Sequence, residues 1–153
     1  MGAVAERLRE AGMELPAAPA AVGLYVPATR VGDMVFTSGQ LPFAEGSLMA
    51  SGTVGADVSL EEAAECARRC ALNALAAASI VCELDQVIGV AKLVGYVASA
   101  GDFTRQPAVI DGASEVMRVA FGAGGQHARE AVGVVALPLG APVEVSIVFA
   151  LQG

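Results

Sequence analysis

Ser59 and Glu62 stand three residues apart at the head of a long apolar run. In that arrangement the Ser side chain caps a free helical N–H and the Glu reaches back to the Ser amide. Behind them Leu60, Ala64, Ala67, Ala71, Leu75 and Ala78 recur at three- and four-residue steps, while Glu61, Glu65, Arg68 and Arg69 fall mostly elsewhere. The pattern predicts a long helix that lays a stripe of small residues on a sheet.

The rest of the chain supplies that sheet. Ala3 to Ala11 has helical character ended by Gly12, and Pro16 to Ala21 reads as a connector. Leu24 to Ala28 and Met34 to Ser38 predict two strands turned by Arg30 to Asp33, a hairpin. Gly39 to Asp57 predicts a loop with one short strand around Thr53. Val87 to Ala98 predicts a strand, and Val109 to Phe121 a helix stopped by Gly122. Gly122, Gly124 and Gly125 lack the Lys-Ser/Thr pair and the preceding strand of a phosphate loop, and are expected to form a helix stop and flexible loop. Ala131 to Leu137 and Val143 to Leu151 predict two final strands. The order β-β-α-β-α-β-β implies an α+β fold, a mixed sheet with two main helices on one face. One domain over residues 1–153 suffices, with residues 1–20 as an N-terminal helix and connector.

Composition narrows the function. Of all residues 55% are hydrophobic and only 16% charged, against a usual charged fraction of roughly 25%. Either the alanines account for this, or part of the surface is buried against sister subunits. A mean hydropathy of +0.60 raises the question of a membrane. However, no run of about 20 uninterrupted apolar residues exists, and charges in the first ten residues leave no secretion signal, so a cytoplasmic protein is expected. A net charge of −7 argues against a nucleic-acid partner. Cys66, Cys70 and Cys82 fall on the same predicted helix, where 16 residues separate the outer pair by roughly 24 Å, so buried reduced thiols are expected and no metal.

Three stretches together resemble a known family. Leu24-Tyr25-Val26 leads into Phe36-Thr37-Ser38-Gly39-Gln40-Leu41-Pro42; a later strand carries Val90-Ala91-Lys92; and His127-Ala128-Arg129 precedes Leu137-Pro138 and Val143-Glu144-Val145. In order and spacing they resemble the RidA family, also called the YjgF or liver perchloric-acid-soluble protein family. That resemblance implies a chorismate-mutase-like fold and a homotrimer with small-molecule pockets at its interfaces. It also implies hydrolysis of 2-imino acids to 2-keto acids and ammonia with no cofactor and no metal. It further implies that Arg129 pairs with the substrate carboxylate and that Glu144, fifteen residues on, helps position the attacking water. Tyr25 and Ser38 match pocket-lining residues. The chain departs from the deaminating members at Leu24, Ala131 and Ser146, in a longer segment from Phe103 to Arg129, and in the extra N-terminal helix.

The chemistry is consistent with those positions. A planar guanidinium holds a carboxylate by two parallel hydrogen bonds, which a Lys cannot reproduce. Hydrolysis of C=N needs a water oriented or deprotonated and a proton given to nitrogen, and one carboxylate, Glu144, can do both in turn. Other roles stand beside these: Arg129 as a surface ion pair, Glu144 as an exposed strand-end acid, and Tyr25 and Ser38 as packing residues. His127 is expected to be a loop residue, and Lys92 to reach water or a neighbouring acid. Three functions remain open: an imine hydrolase, a non-catalytic trimer binding small carboxylates, and an endoribonuclease.

Overall fold

Ser59 caps α2 (Leu60–Ala78) as the sequence predicts. Its Oγ accepts from the Glu62 amide at 3.1 Å, and the Glu62 carboxylate accepts from the Ser59 amide at 3.0 Å. The structure, a computed structural model, describes residues 2–20 and 23–153; Ala21, the end of the expected connector, lies outside the described residues. The helix is buried more widely than one stripe. Every residue from Cys70 to Ala78 is buried, because α2 packs against both the sheet and a second long helix.

That second helix, α3 (Gln106–Phe121), begins three residues earlier than its periodicity suggests, since Pro107 is preorganised for a first helical turn. Gly112 lets it approach α2: a Cβ there would lie 2.2 Å from the Ala64 carbonyl oxygen. Gly122 stops it at φ +58°. The glycines that follow form a packed 3-10 turn rather than the expected flexible loop, because a Cβ on Gly125 would lie 2.2 Å from Met117 O.

Five strands make the main sheet: β1 (Ala28–Val31), β2 (Met34–Thr37), β5 (Val87–Ala98), β6 (Ala128–Val134) and β7 (Val143–Leu151), in the order β1-β2-β7-β5-β6. β5 and β6 are parallel, with α3 as the crossover that a parallel pair requires, and the other pairs are antiparallel. The sheet is therefore mixed, as expected. In β7 Val143, Val145, Ile147, Phe149 and Leu151 are buried toward the helices, while Glu144, Ser146, Val148 and Ala150 occupy the other face.

Three strand expectations are corrected. β1 starts at Ala28, not Leu24, because the Gly32-Asp33 turn pairs Val31 with Met34 and Pro27 has no N–H to extend the ladder. Leu24, Tyr25 and Val26 are left exposed. β6 runs from Ala128 to Val134 because its register with β5 starts at the Lys92 and Ala128 pair. The loop after Gly39 holds a two-residue hairpin, β3 (Phe43–Ala44) with β4 (Ser47–Leu48), while near Thr53 there are only isolated bridges of Val54.

The N-terminal helix α1 (Ala3–Glu10) docks on α3 through buried Val4 and Leu8, and Arg7 Nε donates to Ala120 O at 2.8 Å. Its cap comes from far along the chain: the Asp85 carboxylate accepts from the Ala3 and Val4 amides, both at 2.9 Å. These two bonds hold the Asp85 pKa below the usual carboxylate value. Because the folded pKa is lowered, this stabilisation is present above the ordinary value of 3.8 and is lost as pH falls through the folded one. Asp85→Ala is expected to cost about 0.5–2 kcal/mol, as for other helix caps. Thermal melts at pH 7 and pH 3 check this, and the difference between wild type and variant should shrink at the lower pH.

Candidate functional site

Glu144 is the one acid of β7 and projects from the face of the sheet that the helices leave open. It lines a cavity of about 340 Å³ with Tyr25, Pro27, Gly39, Gln40, Leu41, Phe43 and Leu139 among its walls. The Gln40 backbone pairs with Val145 across this site, its amide donating to Val145 O at 2.8 Å and its carbonyl accepting at 3.0 Å. That pairing brings Gly39 directly over the acid: a Cβ on Gly39 would stand 2.8 Å from the Glu144 carboxyl carbon. Burial raises the Glu144 pKa above 4.5, and no ion-pair partner offsets the desolvation among the described residues. A carboxyl in this state gives and takes protons nearer neutrality than an exposed one.

Tyr25 is 56% exposed and shares this cavity. Ser38 precedes Gly39, but its hydroxyl donates to Val26 O at 2.6 Å, so it fastens the Tyr25 segment to the end of β2. Tyr25, Ser38 and Glu144 are therefore one neighbourhood.

Arg129 lies elsewhere. It is on β6, separated from β7 by β5, and it faces the helices rather than the open side. Its guanidinium donates to Asp111 Oδ1 at 2.7 Å and to Ser114 Oγ at 3.1 Å, both on α3. Its side chain keeps 24% exposure, against 70% for Asp111. His127 closes the group: its Nδ1 lies 2.6 Å from Gly125 O and therefore carries the proton. Its Nε2 is then left to accept from the Ser114 hydroxyl at 2.9 Å. So His127, expected to be a plain loop residue, orders Ser114 and through it Arg129. Lys92 behaves as expected, its ammonium 2.7 Å from Glu130 on the open face. Within one chain Arg129 and Glu144 do not meet.

The cysteines are free thiols, but Cys82 lies beyond the end of α2, so the three do not share one helix. Burial, with Glu62 and Glu65 nearby, pushes the Cys66 thiol up to about 11, and burial raises Cys70 and Cys82 as well. Such thiols are poor nucleophiles and poor ligands. The described residues contain no group of three or more side chains suited to a metal, and no helix is long and apolar enough to cross a membrane.

Several site residues escaped sequence reasoning. Asp111 and Ser114 sit in an ordinary amphipathic helix and carry no local signal. Asn73 does carry one, as the sole amide in the alanine-rich run of α2. It is buried and donates both amide hydrogens to the loop beside Glu144, to Leu41 O at 3.0 Å and Phe43 O at 3.1 Å.

Residues 5–151 match the protein family described as "YjgF/chorismate mutase-like, putative endoribonuclease". Protein TCP17 of Trypanosoma cruzi is 40% identical over 99% of this chain and 96% of its own length. A Shewanella oneidensis crystal structure, given the same endoribonuclease wording, is 33% identical with a TM-score of 0.93, covering 98% of this chain and all of that one. The E. coli YjgF gene product is 25% identical with a TM-score of 0.64, over 89% of this chain and 94% of that one. The fold is shared with YjgF, while the Shewanella protein matches a larger share of this chain at a higher TM-score.

Proposed function

This chain belongs to the YjgF/chorismate mutase-like family, and from that premise we propose that it hydrolyses reactive imines of small amino acids to 2-keto acids and ammonia. The observation that carries the proposal is Glu144: a half-buried carboxyl of raised pKa, without an ion-pair partner among the described residues, on the wall of a cavity. In the proposed reaction Glu144 takes a proton from a water that attacks the imine carbon. It returns that proton to nitrogen to give the carbinolamine, then carries the hydroxyl proton to the amino nitrogen, and ammonia leaves as the carbonyl forms. An imine is reactive enough for positioning and one acid–base group to suffice.

Arg129 is proposed to hold the substrate carboxylate. Since it stands on the opposite face from Glu144 in its own chain, the two serve one substrate only if a second copy brings its Arg129 to the Glu144 cavity. Exposed apolar side chains support such packing, with Phe36 at 41% and Val132 at 42% exposure. A homotrimer is therefore proposed, and light scattering is expected to give three times 15.3 kDa. A monomer at micromolar concentration would remove the shared site. Arg129→Lys is expected to weaken 2-keto acid binding by roughly 10- to 100-fold, because charge-assisted hydrogen bonds contribute about 1.5–3 kcal/mol. Calorimetric titration measures this, and unchanged affinity places the carboxylate elsewhere.

The Asp111 contact favours a second reading, a carboxylate-binding protein without turnover, because an internal carboxylate already occupies part of the guanidinium. The deciding experiment is a kinetic assay on imino acids generated in place from several amino acids by an amino-acid oxidase. The endoribonuclease wording attached to relatives draws no support from the charge of −7.

A further inference from the structure

A second compartment, of about 590 Å³, adjoins the Glu144 cavity; the two share Pro19, Gln40, Leu41 and Phe43 as walls. Its other lining residues include Arg69 and Asn73 of α2, together with Glu14 and Glu45. Arg69 is half-buried, and its Nε donates to Phe43 O at 2.7 Å, which anchors the stem beside the shared wall. Among the described residues no acid lies within ion-pair distance of it, and its two terminal nitrogens make no hydrogen bond. A guanidinium that is partly withdrawn from water and lacks a counter-charge favours an anionic ligand.

Asn73 braces the shared wall and offers no donor to an anion. With both amide hydrogens committed to the Leu41 and Phe43 carbonyls, its orientation is set, and its Oδ1 has no hydrogen-bond donor within the described residues. Glu14 and Glu45 line the same compartment and are exposed, so water partly screens them, and their charge opposes a polyanion more than a single carboxylate. These charges favour a compact carboxylate over a phosphate ester or a nucleic acid.

We infer that Arg69 is the anchor for a second carboxylate, so that the two adjoining compartments select substrates with an acidic side chain: imines of dicarboxylic amino acids and their 2-keto acid products. The inference rests on the proposal that the Glu144 cavity holds the reacting carbon, with the α-carboxylate held there by another group. Arg69 then binds the distal end of the ligand across Leu41 and Phe43.

The test compares 2-oxoglutarate with 2-oxopentanoate, acids of equal chain length of which only the first has a terminal carboxylate. Calorimetric titration of the wild type is expected to show 2-oxoglutarate bound roughly 10- to 100-fold more tightly, the effect of one charge-assisted pair. Arg69→Gln should remove that preference while leaving 2-oxopentanoate affinity unchanged, and Arg69→Lys should keep only part of it. Arg129→Lys, by contrast, should weaken both acids alike. Thermal melts confirm that each variant is folded, and an unfolded Arg69→Gln leaves the wild-type preference and Arg69→Lys to decide. Equal affinity of the wild type for the two acids, or a preference that persists in Arg69→Gln, overturns the role of Arg69 alone. Failure of the wild type to bind either acid overturns it together with the carboxylate proposal.

Discussion

Glu144→Gln is expected to lower kcat for imino-acid hydrolysis by about 10²–10⁴-fold, the usual contribution of a positioned acid–base group. Gln keeps nearly the same shape but cannot accept a proton, so KM should change little and 2-keto acid binding should survive as the control for an intact pocket. The pH profile provides a second readout. Burial lifts the Glu144 pKa above 4.5, so wild-type turnover should rise with pH through a value above that of an exposed Glu, and the variant should lose this limb. Stability should move differently. An acid whose folded pKa is raised contributes less stability as pH climbs from its unfolded value through its folded one, because the ionised form is desolvated. At pH 7 the Gln variant should therefore melt no lower than the wild type. A fully active variant would remove Glu144 from the chemistry, and a wild type that binds keto acids but never turns over would favour the binding protein.

Gly112→Ala is expected to destabilise the chain strongly although it improves local helix propensity. In an isolated helix the change is favourable by about 0.8–1 kcal/mol. Here the added Cβ would lie 2.2 Å from the Ala64 carbonyl oxygen and 3.0 Å from its carbon, backbone atoms of α2 that no rotamer change can move. α2 and α3 must separate or rotate, and overpacking of this kind costs typically 1–3 kcal/mol or more. The cost exceeds the gain, because α2 packs against both α3 and the sheet and cannot shift alone. Urea denaturation at pH 7 should show a lower midpoint with a similar slope. An unchanged or raised midpoint would mean that the helices have slack at this crossing.

The N-terminal helix, α2, β5, β7 and the class of fold were legible because each rests on local chemistry. Ser59 and Glu62 interact three residues apart, Gly12 and Gly122 mark helix ends, and the apolar run from Val143 to Leu151 contains a single acid that stands out against it. Arg129 and Glu144 were legible as residue types at a spacing, but not as neighbours or strangers. Their relation depends on β5 lying between their strands and on the two-residue alternation of side chains, both consequences of sheet order. Pairing also moved β1 and β6, since a strand ends where its partner's register ends. The contacts across the longest separations were the least visible. Asp85 capping α1, Asp111 and Ser114 holding Arg129, and Gly39 lying over Glu144 join segments that have no pattern in common along the chain. Residue chemistry and periodicity therefore determined the elements and the types of group available. Only packing decided which groups share a cavity, because a side chain's neighbours across a sheet or helix crossing follow from tertiary geometry rather than from sequence distance.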